Sequence, residues 1–224
     1  MIYVTSDIHG HYSLLIQRLD EVGFDKDEDT LICVGDLVDR GEENIECLEL
    51  LDEKWFVATR GNHDQWCIDG LTNTHSAYYH RMRNNGGEWW YHLDKETQDY
   101  WAYRIRNLPL YDVVCVDDKQ ILFVHADVGN DGNCSDSFSN LHLWSRASAD
   151  AQEGEDVVVR GYDVVVHGHT PIQAIGEYDY RVQCDFGNEW LVKGNRCFID
   201  SGVFFSKKLN VILLENLMEG FSDG

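Results

Sequence analysis

Five short apolar runs, each stopped by a polar turn, constrain this chain more than any other feature. Ile2-Tyr3-Val4-Thr5 ends at Ser6-Asp7-Ile8-His9-Gly10, and Leu31-Ile32-Cys33-Val34 ends at Gly35-Asp36-Leu37-Val38-Asp39-Arg40-Gly41. Phe56-Val57-Ala58-Thr59 precedes Arg60-Gly61-Asn62-His63-Asp64, and Ile121-Leu122-Phe123-Val124 precedes His125-Ala126-Asp127. The fifth run, Val164-Val165-Val166, leads into His167-Gly168-His169-Thr170-Pro171. Short continuous apolar runs bounded by turn residues read as strands buried on both faces. In an α/β sheet, ligands gather beyond the carboxyl ends of the strands. Five such tips brought together put Asp, His and Asn donors around one point, which reads as a metal site for two ions.

Between the first three runs lie helical stretches. Leu15, Leu19 and Val22 recur at helical spacing from His11 to Val22, with Gly23 as the stop, and Ile45, Leu48 and Leu51 share one face from Glu43 to Glu53. Strand–helix–strand–helix–strand with short connections predicts a parallel, right-handed βαβαβ unit, so the first three tips share one sheet edge. Residues 65–109 show no strand signal and carry Trp66, Trp89, Trp90 and Trp101; helices are expected near 65–84 and 95–107. This aromatic segment reads as packing over the sheet rather than as an aromatic binding box. After Pro109 the chain is β-rich, near 110–116, 121–125, 164–167, 197–200 and 210–215, while 128–156 and 176–196 read as loop excursions at a functional rim.

Composition narrows the function classes. The 224 residues carry 18 Lys and Arg against 40 Asp and Glu, a formal charge of −22, which argues against nucleic acid as a partner. No linker divides the chain, so one domain over residues 1–224 is expected. No apolar stretch approaches membrane-spanning length and no signal-peptide pattern opens the sequence, so the expectation is a cytoplasmic protein without membrane contact. Its seven scattered cysteines form no Cys-x-x-Cys pair and read as reduced thiols.

The tips supply a complete chemistry. Asp36 is placed to bridge two ions, Asp7 and His9 to complete the first, and Asn62, His125 and His169 to complete the second. Two divalent ions would lower the pKa of a water held between them and aim it at phosphorus. No Ser or Cys stands in a nucleophile pattern. His63 is free to act as general acid toward the leaving oxygen, with Asp39 holding its other ring nitrogen. Singly, an Asp-x-His pair or a strand-end His is commonplace; five ligand-bearing strand ends in succession are not.

Together, Asp7-Ile8-His9-Gly10, Gly35-Asp36-Leu37-Val38-Asp39-Arg40-Gly41, Arg60-Gly61-Asn62-His63-Asp64, His125-Ala126-Asp127 and Gly168-His169-Thr170-Pro171 resemble the signature set of the PPP-type, calcineurin-like metallophosphoesterases. Glu46-Cys47-Leu48-Glu49-Leu50, Gly86-Gly87-Glu88-Trp89, Leu143-Trp144-Ser145-Arg146, Ile199-Asp200-Ser201-Gly202 and Leu209 extend the likeness toward the branch of the bacteriophage lambda serine/threonine phosphatase and its small bacterial relatives. The resemblance implies an α/β fold of two mixed β-sheets in a sandwich flanked by helices. It implies Arg40 and Arg146 as phosphate clamps with Arg60 nearby, and two divalent ions, manganese before iron or zinc. It also implies phosphoserine and phosphothreonine proteins or peptides as substrates, inorganic phosphate as product, and a phage or bacterial cytosol as the setting. A symmetrical dinucleoside tetraphosphatase shares every motif and is the rival reading; a non-catalytic metal-binding scaffold is a remote one. Three departures stand out: Ser6 for the usual Gly, Asp64 for the usual Glu, and His167 where an apolar or aromatic residue is usual. A strand running on to His169 would turn both imidazoles the same way; a hydrogen-bonded strand histidine is the simpler expectation for His167.

Overall fold

Two mixed sheets pack face to face in the computed structural model, which describes residues 1–135, 137, 139–219 and 221. The first sheet holds β1 (Ile2–Thr5), β2 (Thr30–Cys33) and β3 (Phe56–Ala58) in parallel, with β10 (Ile212–Leu213) antiparallel on β1. The second orders β4 (Tyr111–Val116), β5 (Lys119–Val124), β6 (Val164–His167), β9 (Arg196–Phe198), β8 (Glu189–Lys193) and β7 (Tyr180–Gln183) from edge to edge. β5, β6 and β9 run parallel and the rest antiparallel, so both sheets are mixed as the resemblance implied.

The apolar runs are continuous because each strand is buried on two faces. Side chains alternate along a strand. In β2, Leu31 and Cys33 join a core with Leu15, Leu19, Leu48, Trp90, Trp101 and Ile105 from the helices. Ile32, with Val34 just beyond, faces the other way into the space between the sheets, against Ile121, Phe123, Val164 and Val166. Fully burying one such leucine or isoleucine contributes about 1.5–3 kcal/mol. A one-residue register slip would turn every ligand-bearing tip to the wrong face.

The helices of the first half are α1 (Tyr12–Val22), α2 (Asn44–Glu49), α3 (Asn62–Asp69), α4 (Thr74–His80) and α5 (Lys95–Arg106). α1 ends as expected, on Gly23 in the left-handed conformation. The helix expected near 65–84 is two helices, because the Asn73 side chain accepts the amides of His75 and Ser76 and starts α4 afresh. Trp90 and Trp101 are core residues, as the aromatic segment's packing role required.

The segment 176–196 departs from its reading as a loop excursion. It contains β7 and β8, an antiparallel hairpin that extends the edge of the second sheet. β7 is mostly exposed, and its Tyr-Arg-Val-Gln sequence lacks the apolar run that marked the buried strands. Within 128–156 the chain forms two short helices, α6 (Ser139–Trp144) and α7 (Ala147–Asp150). α8 (Val203–Ser206) and α9 (Leu214–Glu219) flank β10. Among the described residues no helix is long and apolar enough to cross a membrane.

Candidate metal centre

Backbone bonds tie the turn after β1 to that after β2, and the Gly168 amide after β6 to the His125 carbonyl after β5. Asp7 N–H donates to the Gly35 carbonyl at 3.0 Å, His9 N–H to Asp36 at 3.0 Å and Gly10 N–H to Leu37 at 2.9 Å. Six non-glycine residues here take positive φ: Asp7 (51°), His9 (48°), Asp36 (54°), Asp39 (75°), Arg40 (70°) and His169 (64°). The left-handed region is costly for L-residues and clusters at functional sites. Two glycines admit the ligands by being side-chain-free: a Cβ on Gly61 would fall 2.1 Å from Asp36 Oδ1, and one on Gly168 would fall 2.3 Å from Asp7 Oδ2.

Asp64 ties two of these turns together. Its Oδ2 accepts the amides of Gly61 (2.8 Å) and Asp36 (3.0 Å), and its Oδ1 accepts that of Leu37 (3.0 Å). The same carboxylate starts α3, so a shorter acid than the usual glutamate serves as cap and tie. Burial pushes the Asp64 carboxyl up to about 6 against the pull of these donors.

All six expected ligands converge. Asp7, Asp36 and His125 offer donor atoms within 4.8 Å of one another, as do His9, Asp36 and His63. His9 Nδ1 donates to the Val38 carbonyl at 2.9 Å and His125 Nδ1 to Val34 at 2.8 Å, which leaves both Nε2 lone pairs turned inward. His9 Nε2 lies 3.6 Å from Asp36 Oδ2, and His125 Nε2 lies 3.5 Å from Asp36 Oδ1. Asn62 Oδ1 is 2.9 Å from both His125 Nε2 and His169 Nδ1. The His169 amide donates to both oxygens of Asp7, at 3.2 and 3.0 Å.

The electrostatics ask for cations. Burial pushes the Asp7 carboxyl well above its ordinary range, and the neighbouring carboxylates of Asp200 and Asp36 push the same way. Burial does the same to Asp36, with Asp64 adding to it. Burial holds His125 down to about 3 and His169 down to about 2, so these imidazoles are neutral and keep their lone pairs. Buried like charges cost several kcal/mol each unless countered, and lone pairs facing carboxylates and an amide oxygen at 2.9–3.6 Å are an arrangement that metal ions could counter. The donor set fits two divalent ions that share Asp36.

Beside this centre stands a second, hydrogen-bonded group. His63 Nδ1 donates to Asp39 Oδ2 at 2.8 Å, as expected of the pair. Asp39 also accepts from His80 Nε2 (2.9 and 3.1 Å) and from Trp89 Nε1 (2.8 Å), and His80 Nδ1 reaches the Tyr91 hydroxyl at 3.1 Å. Burial disfavours the Asp39 carboxylate, but the bonds from His63 and His80 outweigh it and hold the carboxyl below its ordinary range. Trp66 packs edge-on against His63 at 4.8 Å and against Trp144 at 4.9 Å.

The three arginines differ in placement. Arg40 donates from Nη1 to His9 Nε2 at 2.8 Å and from Nη2 to His63 Nε2 at 3.0 Å, so it stands inside the site on the lone pair with which His9 would hold an ion, and would have to turn away for His9 to do so. Arg146 is exposed at the start of α7, and its charge acts on His125, His169 and Asp200. Arg60 donates to Gln65 on α3 at 3.0 Å. Asp200, at the end of β9, is a buried acid of the site that motif reading left without a role; burial lifts it to about 6 while the Gly202 amide, Arg40 and Arg146 oppose. His80 and Trp89 were also missed. β6 ends at His167, so His167 and His169 do not share a strand face; His167 Nε2 accepts from Arg196 at 3.2 Å, as a hydrogen-bonded strand histidine does.

The profile of the calcineurin-like phosphoesterases matches residues 1–191. Serine/threonine-protein phosphatase 1 of Salmonella typhimurium is 32% identical over 220 residues, covering 96% of this chain and 92% of that protein. A symmetrical bis(5'-nucleosyl)-tetraphosphatase of Pasteurella multocida is 29% identical over 163 residues, covering 71% of this chain and 52% of that protein. The crystal structure of a metallophosphoesterase from Sphaerobacter thermophilus superposes with a TM-score of 0.54 at 16% identity, over 97% of this chain and 84% of that one.

Proposed function

The chain belongs to the calcineurin-like phosphoesterases, and from that premise we propose that it is a metal-dependent serine/threonine protein phosphatase. The observation that carries this reading is the near-complete overlap, in both directions, with a serine/threonine-protein phosphatase of similar length. The tetraphosphatase overlap takes in only about half of that protein, 52%.

Asp7, His9 and Asp36 would hold one ion, and Asp36, Asn62, His125 and His169 the other; such ions supply Lewis-acid activation of a water and of the phosphoryl oxygens. The chain's own groups do the rest. Arg40 and Arg146 grip phosphate oxygens with planar, paired donors in a protein otherwise short of positive charge. His63, once protonated on both nitrogens and released by Arg40 at Nε2, gives its Nε2 proton to the leaving serine or threonine oxygen. Burial depresses its pKa, and the Asp39 hydrogen bond opposes that, keeps Nδ1 protonated and aims Nε2 at the leaving group. His80 and Trp89 hold Asp39 in turn. Arg60, donating to Gln65, assists from the edge. Manganese is the proposed activating ion and the bacterial or phage-infected cytosol the proposed setting, with phosphate as product and neither nucleic acid nor membrane as partner.

The test compares turnover of a phosphoserine peptide with that of diadenosine tetraphosphate under equal metal. A higher kcat/KM on the tetraphosphate would replace this reading with its rival. Dialysis against a chelator should abolish hydrolysis of an aryl phosphate, and manganese should restore it best. Full activity after chelation would sink the metal assignment.

A further inference from the structure

Arg146 is an exposed side chain on a four-residue helix, yet clamping phosphate requires that it be held still. A pocket of about 290 Å³, lined by Asp127, Ala147, Ser148, Ala151, Val157 and Arg196, lies against one side of α7, and among the described residues apolar packing reaches the helix through Ala149 alone, which meets Ile172, Ile175, Leu191 and Phe198. Two buried charged side chains, Asp127 and Lys193, meet it as well, one at each end.

At the N-terminal end, Asp127 Oδ2 accepts the Ser148 amide at 2.9 Å and the Ser145 hydroxyl at 3.3 Å, bracketing Arg146. Its Oδ1 accepts the Val128 amide at 2.8 Å and Arg196 Nη1 at 2.9 Å. Arg196 is itself saturated. Its remaining donors go to the carbonyls of Val157 (2.6 Å) and Val128 (2.8 Å), to Asn130 Oδ1 (3.0 Å) and to His167 Nε2 (3.2 Å). All five N–H groups are used, which a buried guanidinium requires. At the C-terminal end, Lys193 Nζ donates to the carbonyls of Ser148 (3.3 Å), Ala149 (2.8 Å) and Ala151 (2.8 Å). An anion at the start of a helical turn and a cation at its end both suit the backbone dipoles. Asp127 follows His125 by two residues, and His167 precedes His169 by two. The network therefore springs from the same two strand tips that carry ligands of the second ion.

We propose that Asp127, anchored by Arg196, and Lys193 are positioning residues that hold Arg146 over the metal centre. His167, one of the three departures from the family pattern, then serves as a side-chain acceptor for Arg196 from the neighbouring strand. The inference rests on the reading of Arg146 as a phosphate clamp.

A mutant cycle on the metal-loaded enzyme tests it, with inhibition by inorganic phosphate and the KM for p-nitrophenyl phosphate as readouts. Asp127→Asn and Lys193→Met should each weaken phosphate inhibition by roughly tenfold, within the coupling seen between contacting residues. Neither should weaken it further in the Arg146→Ala background, and metal content should be unchanged throughout. A merely structural role predicts equal losses in both backgrounds, and that result, or no loss in either, overturns the proposal. If Arg146→Ala alone leaves phosphate inhibition untouched, the failure lies in the clamp reading, and the proposal falls with it. Should Asp127→Asn not fold because it strands the Arg196 charge, Lys193→Met decides; failure of both to fold assigns the pair to stability alone and also overturns it.

Discussion

Replacing Asp39 by Asn changes one atom and separates holding from charge. The carboxylate serves four hydrogen bonds with two oxygens: Oδ2 accepts from His63 and His80, and Oδ1 from Trp89 and His80. An amide has one acceptor oxygen. The Trp89 indole can only donate, so the amide oxygen goes to Trp89 and the amide NH2 turns toward His63 Nδ1. His63 must then carry its proton on Nε2, 3.0 Å from the Arg40 Nη2 that now donates there, and its imidazolium loses the carboxylate beside it. A hydrogen bond to a charged group contributes about 1.5–3 kcal/mol. Expressed in the transition state, that loss lowers kcat by roughly 10- to 150-fold. The assay is steady-state hydrolysis of a phosphoserine peptide, with elemental analysis alongside, because Asp39 is not a metal ligand and the ions should remain. The pH dependence of stability has a definite sign. The folded-state pKa of Asp39 lies below its ordinary value of 3.8, so its stabilisation is present above that value and fades as pH falls through the folded value. The difference in Tm between the parent and Asp39→Asn should therefore be largest above about pH 4 and shrink in stronger acid. A kcat on the peptide within about twofold of the parent, or loss of an ion, would refute the argument.

Three further outcomes follow from the same geometry. His63→Asn should lower kcat by about 10²–10⁴, and by more on a phosphoserine peptide than on p-nitrophenyl phosphate, whose leaving oxygen needs less protonation; equal losses would reassign His63 to positioning. Arg40→Ala should raise the phosphate concentration needed for half-inhibition while both ions stay bound, and unchanged inhibition would remove Arg40 from the clamp. Asp118→Gly should raise Tm by roughly 2–4 °C without touching kcat, because Asp117 (φ 49°) and Asp118 (φ 63°) form the two-residue turn between β4 and β5, where positive φ costs a non-glycine about 1 kcal/mol; an unchanged or lower Tm counts against that reading.

The parts legible in the sequence are those where burial and chemistry lie side by side. Val4, Ile32, Phe123 and Val166 are apolar because both faces of their strands are covered, and each run breaks where the chain leaves the core and turns polar. Asp7, Asp36, Asn62, His125 and His169 could be read there for that reason. His80 and Trp89 could not, since they meet Asp39 across 41 and 50 residues, brought by α4 and by the 3-10 helix Gly87–His92 and not by any spacing. Arg196 and Lys193 were hidden for a related cause. They sit in β9 and β8, and a charged side chain in a short strand looks like solvent exposure until its partners are known. The β7–β8 hairpin lay inside a polar stretch because β7, an edge strand, presents mostly exposed side chains.

The site's backbone explains why so many polar groups can be forced together without the fold giving way. Six left-handed residues at about 1–2 kcal/mol each amount to about 6–12 kcal/mol, comparable with the whole stability of a typical domain. Asp, Asn and His tolerate that conformation better than most side chains, so the residue types that bind metals are also those that the turns admit. Much of the remaining cost is met by bonds outside the candidate ligand side chains. Asp7, His9 and Gly10 donate their amides to the carbonyls of Gly35, Asp36 and Leu37, and Asp64 gathers the amides of Gly61, Asp36 and Leu37. Loop geometry is thus held by backbone and by Asp64, and the candidate ligands add bonds from their outer atoms: His9 and His125 donate to the carbonyls of Val38 and Val34, and Asp7 accepts the His169 amide. Of the six candidate ligands only Asp7 and Asp36 are acids, and the Asp36 carboxylate pushes the Asp7 carboxyl up along with burial, so this pair adds no attraction of its own. The turns hold that pair of acids in place through main-chain bonds and the Asp64 carboxylate, none of which needs an ion in order to form.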